Sequence, residues 1–168
     1  MGQTDRTGSS EKEADRLWSL MEKFHVCMLT TMDGAAHRAR PMGSNVRRAE
    51  NAIYLLTEHG SPKEQDIEDN PNVNVSFSDP GGNDYVSVSG QARILNDRAL
   101  IRDLWSPAAE AFWDGADDPK IRVIEILPSE AQYWQGPNKL IATAVMLTAA
   151  VTGSKPADLG KTAKVDLQ

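Results

Sequence analysis

Short extended segments joined by tight turns dominate the chain between residues 25 and 134, and this pattern restricts the fold more than any other feature. Residues 73–77 alternate valine or phenylalanine with asparagine or serine, which predicts a strand with one buried face. Asp33-Gly34 is a strong hairpin signal, and the loop 79–84 is rich in turn-forming residues. Six or seven such strands predict a mainly β fold with flanking helices (α+β), built as an antiparallel barrel.

The predicted elements follow one another without a repeat, a low-complexity segment or a domain boundary. A first helix is predicted with Ser10 as its N-cap and Glu13 as the capping-box partner. Predicted strands cover residues 25–31, 36–42, 52–57, 73–77, 85–95, 120–127 and 130–134. Further helices are predicted at residues 61–70, 97–105, 107–113 and 139–151. The expected organisation is a flexible N-terminal tail at 1–10, a single domain at 11–152 and a C-terminal tail at 153–168.

The composition is that of an acidic globular chain. Its 168 residues carry 18 lysines and arginines against 24 aspartates and glutamates, which gives a net charge of −6. Nucleic-acid binding needs a basic surface, so this balance argues against DNA or RNA as a partner. The single cysteine excludes an intrachain disulfide and a cysteine-based zinc site, and the histidines lack metal-ligand spacing. Without a long apolar run or a signal-peptide pattern, a cytoplasmic protein that does not span a membrane is expected.

The segment from Thr57 to Lys63 is the strongest candidate for a binding site. It joins a predicted strand end, a glycine, a capping serine and a lysine at the start of a predicted helix. Backbone N–H groups and the positive end of the helix dipole meet there, an arrangement that favours a phosphate. Lys63 would add a point charge, and Ser61 a hydroxyl donor. The alternative is that Ser61 only caps the helix and Lys63 is a solvated surface residue, since capping serines are common.

A local basic island interrupts this acidic chain. Residues 34–49 contain no acidic residue and four arginines: Arg38, Arg40, Arg47 and Arg48. Arg38 and Arg40 share one face of a predicted strand, so both guanidinium groups could point into one cleft. Pro41 removes a backbone donor and indicates an edge or interrupted strand, which favours a ligand role for Arg40. Arg47 and Arg48 flank a turn, and a solvated position is predicted for both.

Trp134 is the tryptophan with the most informative position. It lies where a predicted strand ends and a loop begins, and a ring there could form one wall of a site for a flat aromatic ligand. The other three tryptophans are predicted to lie in the core. No G-x-G-x-x-G, G-x-x-x-x-G-K-[ST] or G-x-S-x-G pattern occurs, so Rossmann, P-loop and hydrolase interpretations lack support.

Taken in order, the motifs resemble a known family. They run from about Leu17 to Leu140 and comprise Arg40-Pro-Met42, Ile53-Tyr-Leu-Leu-Thr57, Gly60-Ser-Pro-Lys63, Asn70-Pro-Asn-Val73, Val88-Ser-Gly-Gln-Ala92, Leu104-Trp105, Gly115 to Pro119 and Tyr133-Trp134-Gln-Gly. Each motif is weak alone, but their order and spacing together are specific. The chain resembles the flavin-binding split-barrel superfamily that includes pyridoxamine 5′-phosphate oxidase, and within it the general stress protein 26-like branch.

The resemblance implies a six-stranded antiparallel split β-barrel that binds FMN at a homodimer interface. Arg40, Pro41 and Met42 match the strand that lies along the flavin in relatives. The phosphate and ribityl end would be held by three residues further along the chain, Thr57, Ser61 and Lys63. Trp134 matches a tryptophan near the flavin that usually comes from the other subunit, and Lys139 stands where oxidases have an arginine. FAD, deazaflavin F420 and haem are alternative flat ligands for the same cleft.

The sequence also differs from the oxidase members of this family at positions that matter for their activity. Pro62 replaces a second basic residue, and residues 105–111 lack the cations that clamp a substrate phosphate. True pyridoxamine-phosphate oxidase activity is therefore not expected. Two functions stay open: an FMN-dependent oxidoreductase whose catalytic side chains the sequence does not identify, and a non-catalytic stress protein that binds or senses flavin.

Overall fold

The computed structural model describes residues 4–137, 143, 146 and 160–167, with side chains from Glu11 onward. The described strands are β1 (Val26–Asp33), β2 (Ala36–Gly43), β3 (Asn45–Arg47), β4 (Ala52–Glu58), β5 (Asn72–Asp79), β6 (Asp84–Leu95), β7 (Ile121–Gln135) and β8 (Lys161–Asp166). The described helices are α1 (Thr4–Met21), α2 (Pro62–Asp69) and α3 (Arg98–Leu104), with 3-10 turns at Arg48–Glu50 and Ala109–Ala111.

All the described strand pairs are antiparallel, in the order β2-β1-β5-β6-β7-β4-β3. The sheet curves without closing, so β2 remains an edge strand. The predicted antiparallel split barrel is thereby confirmed, and the short strands β3 and β8 bring the described sheet to eight strands. The β1–β2 hairpin turns over Gly34-Ala35, where Gly34 adopts a φ of 59° that few other residues tolerate.

Strand β7 is one long strand where two were predicted. One of its edges pairs with β6, and the other is shared by β4 along the first half and β8 along the second. Pro128 lies at the changeover, where a missing backbone donor does least harm to the pairing. Opposite it, the register shifts between Ser89 and Gly90, and a Cβ on Gly90 would lie 2.4 Å from the Leu127 carbonyl oxygen. The close approach of these two strands therefore requires glycine.

The main core lies between one face of the curved sheet, called here the inner face, and helices α1 and α2. Helix α1 contributes an apolar stripe at helical spacing, and α2 contributes Ile67; the stripe consists of Leu17, Trp18, Leu20 and Met21. Two polar contacts tie α1 to the end of β7, because the Tyr133 hydroxyl donates to Glu13 and Arg16 donates to Gln135. The first helix is therefore fixed against the last long strand.

A second cluster covers part of the opposite, outer face. Helix α3 packs Ile101 and Leu104 against β4 and the start of β7. The Asp97 side chain caps α3 by accepting from the backbone N–H groups of Ala99 and Leu100, both at 3.0 Å. The rest of the outer face, from β1 through β6 to the second half of β7, carries no described helix.

Several predicted boundaries were wrong. Helix α1 begins at Thr4 instead of Ser10, so residues 4–10 of the segment predicted as a tail belong to the helix. Strand β8 pairs with β7 inside the segment predicted as a C-terminal tail. The helix predicted at residues 107–113 is only a 3-10 turn. The helix predicted at residues 139–151 lies outside the described residues except for Thr143 and Met146, which are helical. No described helix is long and apolar enough to cross a membrane.

Candidate functional site

The predicted phosphate-binding segment forms the connection between β4 and α2. Thr57 is buried near the end of β4, Gly60 has a φ of 76°, and Ser61 occupies the N-cap position of α2. The prediction that the Ser61 side chain caps the helix is wrong. Its Oγ lies 3.3 Å from Thr57 Oγ1 instead. Two hydroxyl groups therefore lie together at the start of α2.

Glu64 holds this connection in place. Its buried carboxylate accepts a hydrogen bond from the Gly60 N–H, and His59 Nδ1 lies 3.1 Å from its Oε2 atom. Burial raises the pKa of Glu64, but the Gly60 N–H and His59 outweigh burial, so the pKa lies below its ordinary value. The predicted capping box is thus replaced by a bond to the residue before Ser61. The Gly60 N–H, one of the backbone donors of this segment, is therefore already occupied.

Arg40 points from the edge strand β2 toward the inner face. Its Nη1 donates to Thr31 Oγ1 at 2.8 Å, and its Nη2 donates to Asp66 Oδ2 at 3.1 Å. Thr31 Oγ1 also donates to Asp66 Oδ2 at 2.6 Å. These three bonds close a ring that links β2, β1 and α2. Neither Thr31 nor Asp66 was identified from the sequence, although a threonine after Cys27 and Leu29 on the inner face of β1 was a detectable polar position.

Lys63 lies on α2, three positions before Asp66, and its side chain is half-buried. Burial lowers the pKa of Lys63, and the positive charge of Arg40 lowers it further, while Glu58 and Glu64 act in the opposite direction. The two cations are therefore close enough to repel each other. Among the described ion pairs none includes Lys63, whereas Arg40 is paired with Asp66.

The other arginines of the basic island do not join this site. Arg38 pairs with Asp33 at 3.1 Å on the exposed end of the β1–β2 hairpin, so the shared cleft predicted for Arg38 and Arg40 is wrong. Arg47 donates to Glu50 at 3.1 Å, and Arg48 pairs with Asp15 of α1. Arg47 also lies over the Tyr54 ring, at 5.7 Å from its centroid. Arg48 remains exposed, as predicted, whereas Arg47 is more buried than the solvated position predicted for it.

The remaining predicted site residues lie apart from Lys63. Met42 packs against the main core, while Pro41 is exposed on β2 opposite Met28. Trp134 pairs with Tyr85 on the outer face, the opposite side of the sheet from Arg40. Lys139 lies outside the described residues. Within one chain, the structure therefore brings together Arg40, Thr57, Ser61 and Lys63 but not Trp134.

Four exposed apolar residues form what we call the outer apolar patch. They are Val26 and Met28 on β1, Tyr85 on β6 and Trp134 on β7, with exposures of 59%, 39%, 37% and 39%. Each alternates along its strand with residues buried in the main core. A separate cleft of about 680 Å³ contains none of these four residues, and half of its lining residues are asparagine, serine or threonine. Thr31 reaches this cleft, but Arg40, Lys63 and Trp134 do not line it.

Comparison with known proteins gives a consistent result. The sequence profile of the family described as pyridoxamine 5′-phosphate oxidase like matches residues 12–157. General stress protein 26 of Bacillus subtilis is 34% identical over 90 residues, which are 52% of this chain and 64% of that protein, so less than two thirds of that relative is matched. Protein bli-3 of Neurospora crassa is 27% identical over 170 residues, covering 94% of this chain and 81% of that protein.

Solved structures share the fold. A protein described as general stress protein 26 from Jannaschia sp. superposes with a TM-score of 0.76 at 23% identity, covering 94% of this chain and 99% of that one. The general stress FMN/FAD binding protein of Xanthomonas citri superposes with a TM-score of 0.64 at 24% identity, covering 74% of this chain and 89% of that one. At these identities the likeness concerns the fold alone.

Proposed function

Because the chain belongs to the pyridoxamine 5′-phosphate oxidase-like family, we propose that it is a flavoprotein that binds FMN where β4 runs into α2. In this proposal Thr57, Ser61, Lys63 and Arg40 hold the phosphate and ribityl end. Pro41 and Met42 lie along the flavin ring, on the edge strand β2. The similarity to the FMN/FAD binding protein of Xanthomonas citri supports a flavin as the ligand.

The observation that carries the proposal is the pair of neighbouring cations, Lys63 and Arg40. Burial lowers the pKa of Lys63, and the positive charge of Arg40 lowers it further, so the two like charges repel each other. A phosphate between the two cations would reverse the sign of the interaction. The two hydroxyl groups of Thr57 and Ser61 lie at the same helix start and are suitable donors to phosphate oxygens. The donor set thus fits a phosphate monoester.

We further propose that the site is completed by a second copy of the chain. Trp134 and the cation pair lie on opposite faces of one sheet, so a single chain does not bring the tryptophan to the flavin. The outer apolar patch, which includes Trp134, is an exposed surface of the kind that an interface covers. A homodimer in which this patch is buried would allow Trp134, and Lys139 as the resemblance implies, to approach the site of the partner.

The proposed activity is that of an FMN-dependent oxidoreductase. When bound, FMN supplies hydride or single-electron transfer, and the protein supplies orientation and electrostatics. The described residues suited to that task are Lys63 and Arg40, whose charges neutralise the phosphate, and Met42, which packs behind β2. The two buried acids of this site, Glu64 and Asp66, are held by hydrogen bonds, and no side-chain acid or base is assigned to the chemistry.

The first experiment is an absorption spectrum of the purified protein, followed by titration with FMN, FAD, riboflavin and deazaflavin F420. We expect flavin bands and a preference for FMN over riboflavin. A spectrum of haem or deazaflavin, or no preference for the phosphate, would contradict the FMN assignment.

The second experiment tests turnover. The FMN-loaded protein is mixed without oxygen with NADH or NADPH, and loss of the oxidised flavin band is followed in stopped flow before air is readmitted. Reduction and reoxidation are expected for an oxidoreductase. Flavin that binds tightly but is reduced by neither nucleotide nor by a cellular reductase would favour the non-catalytic stress protein instead.

A further inference from the structure

The ring of hydrogen bonds around Arg40 contains a buried carboxylate that the proposed phosphate contacts do not use. Asp66 is 8% exposed and Thr31 is 1% exposed, so both partners of Arg40 are nine-tenths buried or more. The Arg40 side chain itself is 25% exposed and borders the solvent. The ring is therefore anchored from inside the fold, and the Arg40 guanidinium is its most exposed member.

A purely structural role explains this arrangement poorly. An ion pair in a protein interior is seldom more stabilising than apolar residues of similar volume, because both ions lose their hydration. The neighbouring inner-face positions on β1, Cys27 and Leu29, are apolar and fully packed. Apolar residues could thus have filled the positions of Thr31 and Asp66. A buried carboxylate here fixes the guanidinium of Arg40, which apolar residues would not do.

The geometry determines which donors remain for a ligand. A guanidinium has five N–H donors in one plane. In the ring, one N–H of Nη1 reaches Thr31 and one N–H of Nη2 reaches Asp66. Among the described residues the other three N–H groups of Arg40 have no hydrogen-bond partner. Because a guanidinium is planar, fixing two of its donors fixes the direction of all five.

We propose that Asp66 is a positioning residue: with Thr31 it holds the Arg40 guanidinium so that its remaining donors face the phosphate of the ligand bound beside Lys63. This role rests on the proposed FMN site and adds to it a residue that makes no contact with the ligand. Asp66 also lies one helical turn after Lys63 on α2, so a single short helix sets both cations relative to each other.

The test is a double-mutant cycle on FMN affinity, with riboflavin titrated in parallel. Asp66→Ala is expected to weaken FMN about tenfold, the order of one charge-assisted hydrogen bond, and to change riboflavin by less than about twofold. In an Arg40→Ala background, Asp66→Ala should change FMN affinity by less than about twofold, because Asp66 acts through Arg40. Glu68→Ala, which removes an exposed acid from the same helix, is the matched control and should bind both ligands as the wild type does.

The possible outcomes separate the two proposals. If the wild type does not bind FMN, the proposed function is wrong and the role of Asp66 fails with it. If the wild type binds FMN but Asp66→Ala binds it equally well or more tightly, only the positioning role is overturned. The positioning role is also overturned if Asp66→Ala lowers FMN affinity equally with and without Arg40, or lowers riboflavin and FMN affinity equally. Asp66 would then be a structural residue.

Milder variants keep the test valid if Asp66→Ala does not fold, which a circular dichroism melt would reveal. Thr31→Val removes one hydroxyl at nearly constant volume, and Asp66→Asn keeps an oxygen acceptor without the charge. Both variants are expected to weaken FMN binding more than riboflavin binding. The FMN affinity of Asp66→Asn should lie between those of the wild type and Thr31→Val, or close to that of Thr31→Val. Unchanged FMN affinity in both variants would contradict the proposal.

Discussion

At the scale of single residues, the candidate site depends on local charge. The protein carries a net charge of −6, so its overall field repels an anionic ligand. Lys63 is the cation at the start of α2 without a described ion pair, whereas Arg40 is partly neutralised by Asp66. We therefore expect Lys63 to contribute most of the attraction for a phosphate.

Replacing Lys63 by alanine should test that expectation directly. A charge-assisted contact is worth roughly 1.5–3 kcal/mol, so Lys63→Ala should weaken FMN about ten- to a hundredfold. Riboflavin, which lacks the phosphate, should be affected far less. Fluorescence titration of both ligands measures the difference, with Lys120→Ala as a control at an exposed lysine. Full flavin occupancy and unchanged affinity in Lys63→Ala would return Lys63 to the solvated surface position considered from the sequence.

The lowered pKa of Lys63 predicts a particular pH dependence. A phosphate binds the protonated amine, so FMN affinity should be constant while Lys63 is charged and should fall as the pH rises through its pKa. Burial and Arg40 bring that pKa below the ordinary lysine value of about 10.4. The fall should therefore begin at a lower pH than for an exposed lysine. Titrations between about pH 7 and 10 measure it, and a Lys63→Arg variant that declines in the same way would contradict this assignment.

The sequence predicted the local part of the site but not its long-range part. Ser61 and Lys63 were identified because a strand end, a glycine and a helix start follow one another within a few residues. The ring of Thr31, Arg40 and Asp66 was missed because it joins positions up to 35 residues apart. Periodicity assigns a face to each residue, but it does not say which residue of another element lies opposite.

At the scale of elements, the connection between β4 and α2 is held by one carboxylate. Glu64 binds back to Gly60, which has a left-handed conformation, and to His59. The start of α2 is thereby fixed before any ligand binds, which reduces the entropy lost on binding.

The variant Glu64→Gln should reduce the free energy of unfolding by roughly 1 kcal/mol at pH 7, because the charged acceptor of the Gly60 N–H is replaced by a neutral one. The pKa of Glu64 is lowered in the folded protein, so its contribution is complete above the ordinary glutamate value of about 4.3 and disappears as the pH falls through the native pKa. Urea unfolding at several pH values measures both. A difference from the wild type that persists undiminished at pH 3 would contradict this explanation.

The segment after α3 gives a prediction about substrates. Residues 105–111 contain no lysine or arginine, so nothing there can form the bidentate contact with a substrate phosphate that an arginine would make. We expect the FMN-loaded protein to oxidise pyridoxine 5′-phosphate poorly. Oxygen consumption with that substrate measures the rate. Turnover similar to that of a dedicated oxidase would show that another part of this chain supplies the clamp.

The errors in the predicted elements have physical causes. Strand β7 was divided at Pro128 because proline rarely lies inside a strand, yet the changeover between β4 and β8 leaves its missing donor harmless. Strand β8 was missed because its residues, Lys161 to Asp166, are mostly polar and form a strand only against β7. The major strands were predicted well because their buried faces are regular.

At the scale of the whole molecule, the outer apolar patch gives a prediction about assembly. We expect a homodimer by light scattering at micromolar concentration. Met28→Glu places a carboxylate in the patch, and burying an unpaired carboxylate in an interface costs several kcal/mol. The dissociation constant of the Met28→Glu dimer should therefore be at least about tenfold higher than that of the wild-type dimer.

The matched control for Met28→Glu is Phe112→Glu, which alters an equally apolar and more exposed residue away from the patch, next to Trp113. This variant should remain dimeric. A monomeric wild type, or a Met28→Glu variant that is as dimeric as Phe112→Glu, would remove the patch and Trp134 from the proposed site.

The attachment of α1 to β7 has a consequence for synthesis on the ribosome. The contacts of Glu13 and Arg16 reach residues 120 and 119 positions later, and α1 ends 100 residues before β7 begins. At about 5–20 residues per second, roughly 5–20 s pass between the emergence of α1 and that of its partners. For that time the two polar contacts that fix α1 against β7 have no partner. We therefore expect the first helix to be among the last elements to reach its final position.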